Sequence, residues 1–210
     1  VCSSDLDSRQ AQPGDLFIAI AGEKFDGHRF VAEVAAKGVA AVMVEKSRAG
    51  DLQSSSAVLD AKGGDCKSPA LIAVANTRTA YAQLAARYRQ DFAIPVIAVG
   101  GSNGKTTTKE LIAAVLRERG PALWSEASFN NDIGVPHTLL RLEQAHTGAV
   151  LEVGTNHPGE LAPLVRLIAP RFGVITSIGR EHLEFFGDVK GVAQEEGWRS
   201  EEHTSELQSH

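Results

Sequence analysis

Apolar positions in this chain fall into short, β-branched runs alternating with amphipathic stretches, and that order recurs from residue 15 to residue 178. The run at 15–20 predicts a strand, the periodic stretch 28–37 closed by Gly38 a helix, and 39–45 a second strand. The polar stretch 46–69, with serines at 54–56 and glycines at 63–64, reads as a loop. A strand over 71–75 follows, and Asn76 is placed to cap a helix running to about 90, with Tyr81, Leu84, Ala85 and Tyr88 on its inner face. Beyond a boundary at 91–95, strands are predicted at 96–99, 148–153 and 172–178. Helices are predicted at 106–116, with Leu111, Ile112, Val115 and Leu116 as the apolar stripe, and at 158–169. Strand-helix alternation of this kind builds parallel sheets. The expected fold class is therefore α/β: a small N-terminal α/β domain over 7–91, then an incomplete P-loop-type parallel-sheet domain over 92–197.

Both ends depart from the pattern. After Gly197 the chain runs "WRSEEHTSELQSH", polar and without apolar period where another sheet-packing helix is due, and it starts with "VCSSDL". Both resemble translated sequencing-adapter remnants. Residues 1–6 and 198–210 are therefore expected to be non-native, and the chain an internal piece of a longer protein.

Composition narrows the classes. At 210 residues and 43% hydrophobic the chain can bury a core, and a net charge of −5 with scattered Lys and Arg gives no nucleic-acid surface. No apolar run approaches the roughly 20 residues that span a bilayer, so no membrane association and a cytoplasmic location are expected. Two cysteines, Cys2 and Cys66, are too few for a disulfide framework.

The chemistry is concentrated in "VIAVGGSNGKTTTKELIAAVL", where a predicted strand passes through a glycine turn into a helix. Gly100, Gly101 and Gly104 allow a tight bend that aims backbone N–H groups at a ligand before the positive end of the helix, which is a phosphate cradle. Gly101, Ser102, Asn103, Gly104, Lys105, Thr106 and Thr107 are the expected ATP-binding residues. Lys105 carries charge to the outer phosphates, and the Thr106 hydroxyl suits the magnesium that accompanies a triphosphate. The general Walker A pattern wants a glycine five residues before the Gly-Lys pair, where this chain has Val99.

In a parallel sheet, ligands sit beyond the carboxyl ends of strands, so the polar residues there weigh most. Glu152 in "LEVGTNHPGE" is a carboxylate inside an apolar strand, costly to bury without a partner or metal. His182 in "SIGREHLEFFG" reads equally as a metal ligand or as a solvated loop histidine. Asn130 and Asn131 in "SFNNDIGVPHTLL" read either as Asx turns or as hydrogen-bonding groups for the phosphates or amides of a substrate.

Taken together, "DSRQAQPGDLFIAIAGEKFDGHRF", "GSNGKTTTKE", "SFNNDIGVPHTLL", "LEVGTNHPGE" and "SIGREHLEFFGD" resemble the Mur ligases over about 7–197. The resemblance implies an ATP-dependent amide ligase of peptidoglycan precursor synthesis acting through an acyl phosphate. Its first domain would hold the UDP end of the substrate and its central domain ATP and Mg2+. The motifs are most similar to those of the branch that adds D-alanyl-D-alanine to UDP-N-acetylmuramoyl-tripeptide, with a monomer expected. The ligase adding the third amino acid, and a binding module without turnover, are the alternatives. By resemblance, Lys105, Glu152 and His182 are catalytic; Thr106 and Glu152 hold one magnesium and His182 belongs to a second metal site. Ser8, Glu23, Lys24 and Phe25 contact the uridine diphosphate. Many relatives carry a lysine, modified to a carbamate, shortly after the His182 loop; Glu196 stands there in this chain and is the expected substitute ligand.

Overall fold

The computed structural model describes residues 4–5, 7–22, 26–54, 68–154, 157 and 159–179. The chain divides into two compact units between Gln83 and Leu84, a little before the expected 91–92 junction.

The first unit carries β1 (Ser4–Asp5), β2 (Leu16–Ile18), a 3-10 turn (Gly27–Phe30), α1 (Val31–Ala36), β3 (Ala41–Glu45), α2 (Lys46–Ser54), β4 (Ala70–Val74) and the start of α3 (Thr77–Arg89). Its sheet is parallel in the order β1-β2-β3-β4. Ser4 and Asp5, inside the segment expected to be non-native, pair with Leu16 and Phe17. Phe17, Ala19, Val42 and Val44 bury one face against Val31, Val34 and Val39. Asn76 does cap α3, its side chain accepting from the Thr79 amide at 2.9 Å.

The expected loop at 46–69 is corrected in its first part. Residues Lys46–Ser54 form a helix, α2. "KSRAGDLQS" has no apolar stripe, so the periodic signal is missing although most of its residues tolerate helix.

Near the 3-10 turn, the Nδ1–H of buried His28 lies 2.7 Å from Asp26 Oδ1, while its Nε2 accepts the Glu45 amide at 3.1 Å. The acceptor role fixes the neutral tautomer with its proton on Nδ1. The hydrogen bond from His28 holds the Asp26 carboxyl below its ordinary value, with Arg48 adding at 3.3 Å. Because the folded value is depressed, the stabilisation is present above the unfolded value near 3.8 and is lost as pH falls through the folded one. The denaturation midpoints of wild type and Asp26→Asn should therefore differ at about pH 6, and the difference should shrink as pH falls below 3.8. A gap that stays constant with pH would remove Asp26 as its source.

The second unit contains the rest of α3, then β5 (Val96–Gly100), α4 (Lys105–Arg117), β6 (Ala122–Trp124), α5 (Gly134–Leu139), β7 (Gly148–Glu152), α6 (Leu161–Ile168) and β8 (Phe172–Ile175). The sheet is wholly parallel in the order β6-β7-β5-β8. Val99 and Val150, with Ile97, Trp124 and Val174, meet Ala113, Ile112 and Leu116 of α4. Ala98, Ala149 and Leu151 alternate with these along the strands and are buried on the opposite face.

The stripe expected on α4 holds at Ile112 and Leu116 and fails at Leu111 and Val115. Leu111 and Val115 are 65% and 67% exposed, and the buried positions are Lys109 and Ala113. A lysine in the middle of the buried face breaks the apolar pattern that the periodicity relies on. The three-residue strand β6 also escapes the sequence pattern, and Gly134, Val135 and Pro136 form the first turn of α5, where proline is tolerated.

The end of α3 is fixed by a buried cation. Arg89 donates to the carbonyls of Ile168 at 3.1 Å, Phe92 at 2.6 Å and Ile94 at 3.3 Å, tying α3, the following turn and the end of α6. Three carbonyls in a fixed fork match the planar guanidinium.

Candidate functional site

All four strands of the second sheet run the same way, so the segments after β5, β6, β7 and β8 gather at one end. The first is the glycine turn. Gly101 has φ +113°, and a Cβ there would lie 2.6 Å from Thr176 Oγ1 and 2.8 Å from the Ser177 carbonyl oxygen. Gly104, at φ +85°, stands in the left-handed region immediately before α4. The turn thus opens onto a 13-residue helix whose first amides are unpaired within the helix, the arrangement that binds phosphate.

The segment after β8 braces this turn, which sequence reasoning missed. The Ser102 amide donates to the Ser177 carbonyl at 2.8 Å and the Asn103 amide to Ser177 Oγ at 2.9 Å. Thr176 Oγ1 donates to the Asn103 carbonyl at 2.6 Å, and the Gly179 amide to Ser102 Oγ at 2.8 Å. Neither hydroxyl stands in a pattern that marks it in sequence; the signal is the pairing of β8 with β5, which brings the two strand ends together.

Lys105 Nζ donates to the carbonyls of Gly101 at 2.6 Å and Ser102 at 3.2 Å, so its charge is held over the turn. Thr106 Oγ1 donates to Glu152 Oε2 at 2.8 Å. Glu152, at the end of β7, is 1% exposed, and Asn130 Nδ2 donates to its other oxygen at 2.9 Å. A hydroxyl and an amide are its side-chain partners; among the described residues no cation pairs with it. A buried carboxylate whose side-chain partners among the described residues are neutral, with a threonine oxygen beside it and a phosphate turn next to both, is a donor set that suits a hard divalent cation. Thr106 and Glu152 are the residues that would hold magnesium.

The structure separates the two asparagines. Asn130 turns its amide to Glu152, whereas Asn131 Oδ1 accepts the amides of Ile133 at 3.2 Å and Gly134 at 2.8 Å, as an Asx turn capping α5. In the other unit Ser8 is buried in the turn after β1, and its carbonyl accepts from Lys37 Nζ at 2.6 Å. Glu23, Lys24, Phe25, His182 and Glu196 lie outside the described residues.

Two family models match the chain: "Mur ligase family, catalytic domain" over residues 5–89 and "Mur ligase middle domain" over residues 99–197. The chain belongs to the Mur ligase family. Among curated Mur ligases, UDP-N-acetylmuramoyl-tripeptide--D-alanyl-D-alanine ligase of Escherichia coli is 41% identical over 191 residues, covering 91% of this chain and 38% of the relative. The Mur ligase of the same description from Bacillus subtilis is 39% identical, covering 90% and 38%. The crystal structure of the Mur ligase MurF from Acinetobacter baumannii superposes with a TM-score of 0.78 at 37% identity, covering 92% of this chain and 39% of that one. MurF from Thermotoga maritima in complex with ADP superposes at 0.77 with 28% identity, covering 93% and 42%. The chain thus spans about two fifths of the length of the Mur ligases it matches. No described helix is long and apolar enough to cross a membrane.

Proposed function

We propose that this chain carries the substrate-binding domain and the nucleotide-binding part of the central domain of an ATP-dependent ligase. That ligase joins D-alanyl-D-alanine to UDP-N-acetylmuramoyl-tripeptide in peptidoglycan precursor synthesis. The observation that carries the reading is the convergence of Thr106, Glu152 and Asn130 beside the glycine turn bearing Lys105. The names of the relatives and the ADP complex of one structural neighbour support it.

A peptide carboxylate does not acylate an amine at neutral pH. Its oxygen attacks the γ-phosphorus of ATP, the bond from that phosphorus to the ADP oxygen breaks, and an acyl phosphate results. The dipeptide amine then adds to the carbonyl carbon, loses a proton, and phosphate leaves with the C–O bonding pair. Both steps move negative charge among oxygens, so the protein's task is alignment and electrostatic stabilisation. The amides at the start of α4 cradle the phosphates, Lys105 supplies a positive charge on the transferring group, and Asn130 and Thr106 keep the Glu152 carboxylate turned to the site. Magnesium, when bound, would neutralise phosphate oxygens in the same place. His182 and Glu196 are proposed to complete a second metal site, and Ser8 with residues 23–25 to contact the uridine diphosphate. The soluble, UDP-linked substrate puts the reaction in the cytoplasm, and we take the enzyme as a monomer.

The test is substrate dependence in the full-length ligase carrying this segment. ADP release should require the UDP-linked tripeptide and D-alanyl-D-alanine together. Turnover with a UDP-linked dipeptide and a single amino acid would transfer the chain to the sibling ligase that adds the third residue. ADP release indifferent to either acceptor would end the ligase reading.

A further inference from the structure

Lys109 is the group in the second unit that the reading above leaves without a task. Its side chain is fully buried, one helical turn beyond Lys105 and so on the same side of α4. Its ammonium has three N–H donors and meets three acceptors: the carbonyls of Ser125 at 2.7 Å and Ala127 at 3.0 Å, and Glu110 Oε1 at 2.8 Å. Removing an ammonium from water is costly even when it is fully hydrogen-bonded, and an apolar residue would fill the same space between helix and sheet more cheaply. What a lysine adds there is a grip on two carbonyls of one turn. That turn is strained, because Ala127 has φ +44°, a left-handed conformation that a residue with a Cβ adopts at a cost.

The gripped turn is the one that arranges Glu152. Ser125, fully buried, accepts the Glu152 amide on its Oγ at 2.9 Å and donates its own amide to the Val150 carbonyl at 3.2 Å. Five residues later the same segment presents Asn130, whose side chain donates to the Glu152 carboxylate and whose carbonyl accepts the Gly154 amide at 3.0 Å. On the other side Lys109 is rooted in the helix that offers Lys105 and Thr106. We infer that Lys109 is a positioning residue. By tying α4 to the turn at Ser125–Ala127, it fixes the separation between the phosphate-binding helix and the Glu152–Asn130 pair, and with it the geometry offered to a divalent cation. This rests on the nucleotide-site reading above.

The inference separates positioning from mere stability, because the unit contains a second buried cation that grips carbonyls away from the site. Arg89 bonds the carbonyls of Phe92, Ile94 and Ile168, and none of these hydrogen bonds goes to Glu152, Thr106, Asn130 or Ser125. The experiment measures ADP binding by calorimetry against magnesium concentration, beside the melting temperature, for wild type, Lys109→Met, Ser125→Ala and Arg89→Met of the full-length ligase. Lys109→Met and Ser125→Ala should raise the magnesium concentration at half-effect by roughly tenfold, on the scale of lost support around a metal ligand. Arg89→Met should lower the melting temperature and leave that concentration unchanged. A Lys109→Met protein with the wild-type magnesium curve, or an Arg89→Met protein shifted as far, overturns the inference. If Lys109→Met does not fold, Lys109→Gln, which keeps a polar contact but loses the charge and one carbonyl, decides: its unchanged curve equally overturns it. A wild type that binds no ADP at any magnesium concentration sinks the nucleotide-site reading itself, and the inference with it.

Discussion

Lys105→Ala in the full-length ligase is expected to weaken ADP binding roughly ten- to a hundredfold and to lower turnover by about a thousandfold. The first figure follows from a charge-assisted hydrogen bond, worth about 1.5–3 kcal/mol, at about 1.4 kcal/mol per factor of ten. The second is larger because the lysine faces phosphate oxygens whose charge shifts as the phosphoryl group transfers, and preorganised charge counts most there. The fold should survive: Lys105 is partly exposed, and the Gly101 and Ser102 carbonyls that it bonds belong to its own turn, where water can serve instead. Calorimetry for binding and ADP release for turnover measure the two effects separately. Near-normal turnover would show that the glycine turn does not hold the reacting phosphates.

Gly101→Ala should be more damaging, and through structure. The backbone at φ +113° is unfavourable for any side chain, and the new methyl would stand 2.6 Å from Thr176 Oγ1, 2.8 Å from the Ser177 oxygen and 2.9 Å from the Ser177 nitrogen. Two of those atoms are backbone of the segment bracing the turn, so no rotamer relieves the clash. Several kcal/mol of stability, of the order of other severe core substitutions, should be lost, together with measurable ADP binding. Denaturant unfolding checks the first and calorimetry the second. A variant with wild-type stability would mean that 176–177 can move away from the turn, and the bracing described above would lose its support.

Much of this was legible in the sequence because parallel α/β units write themselves in periodicity. The runs at 96–99 and 148–153 carry strands because apolar residues bury both faces, and Asn76 caps α3 because its side chain replaces a missing helical acceptor. The pairing of Thr106 with Glu152 follows from the same logic, since a carboxylate at the end of an apolar strand must meet something polar at the sheet's carboxyl end. Other features had no local signal. Lys109 looks like a solvated helix position until the turn at 125–127 is folded against it, and the apolar stripe read from the sequence holds at Ile112 and Leu116 but includes Leu111 and Val115, which face outward. Ser125, Thr176 and Ser177 act through backbone groups brought close only by strand order. Asn130 and Asn131 are adjacent and identical in type, and only the fold assigns one to the carboxylate and the other to the cap.

The central claim is that the glycine turn, Thr106 and Glu152 form one nucleotide and metal site. A crystal of the full-length ligase grown with ADP and Mn2+, with data collected at the manganese absorption edge, tests it most directly. The account predicts an anomalous peak in bonding contact with Thr106 Oγ1 and a Glu152 carboxylate oxygen, with the ADP phosphates lying against the amides at the start of α4. ADP bound elsewhere, or manganese bound beside the nucleotide without contact to Glu152, would contradict it.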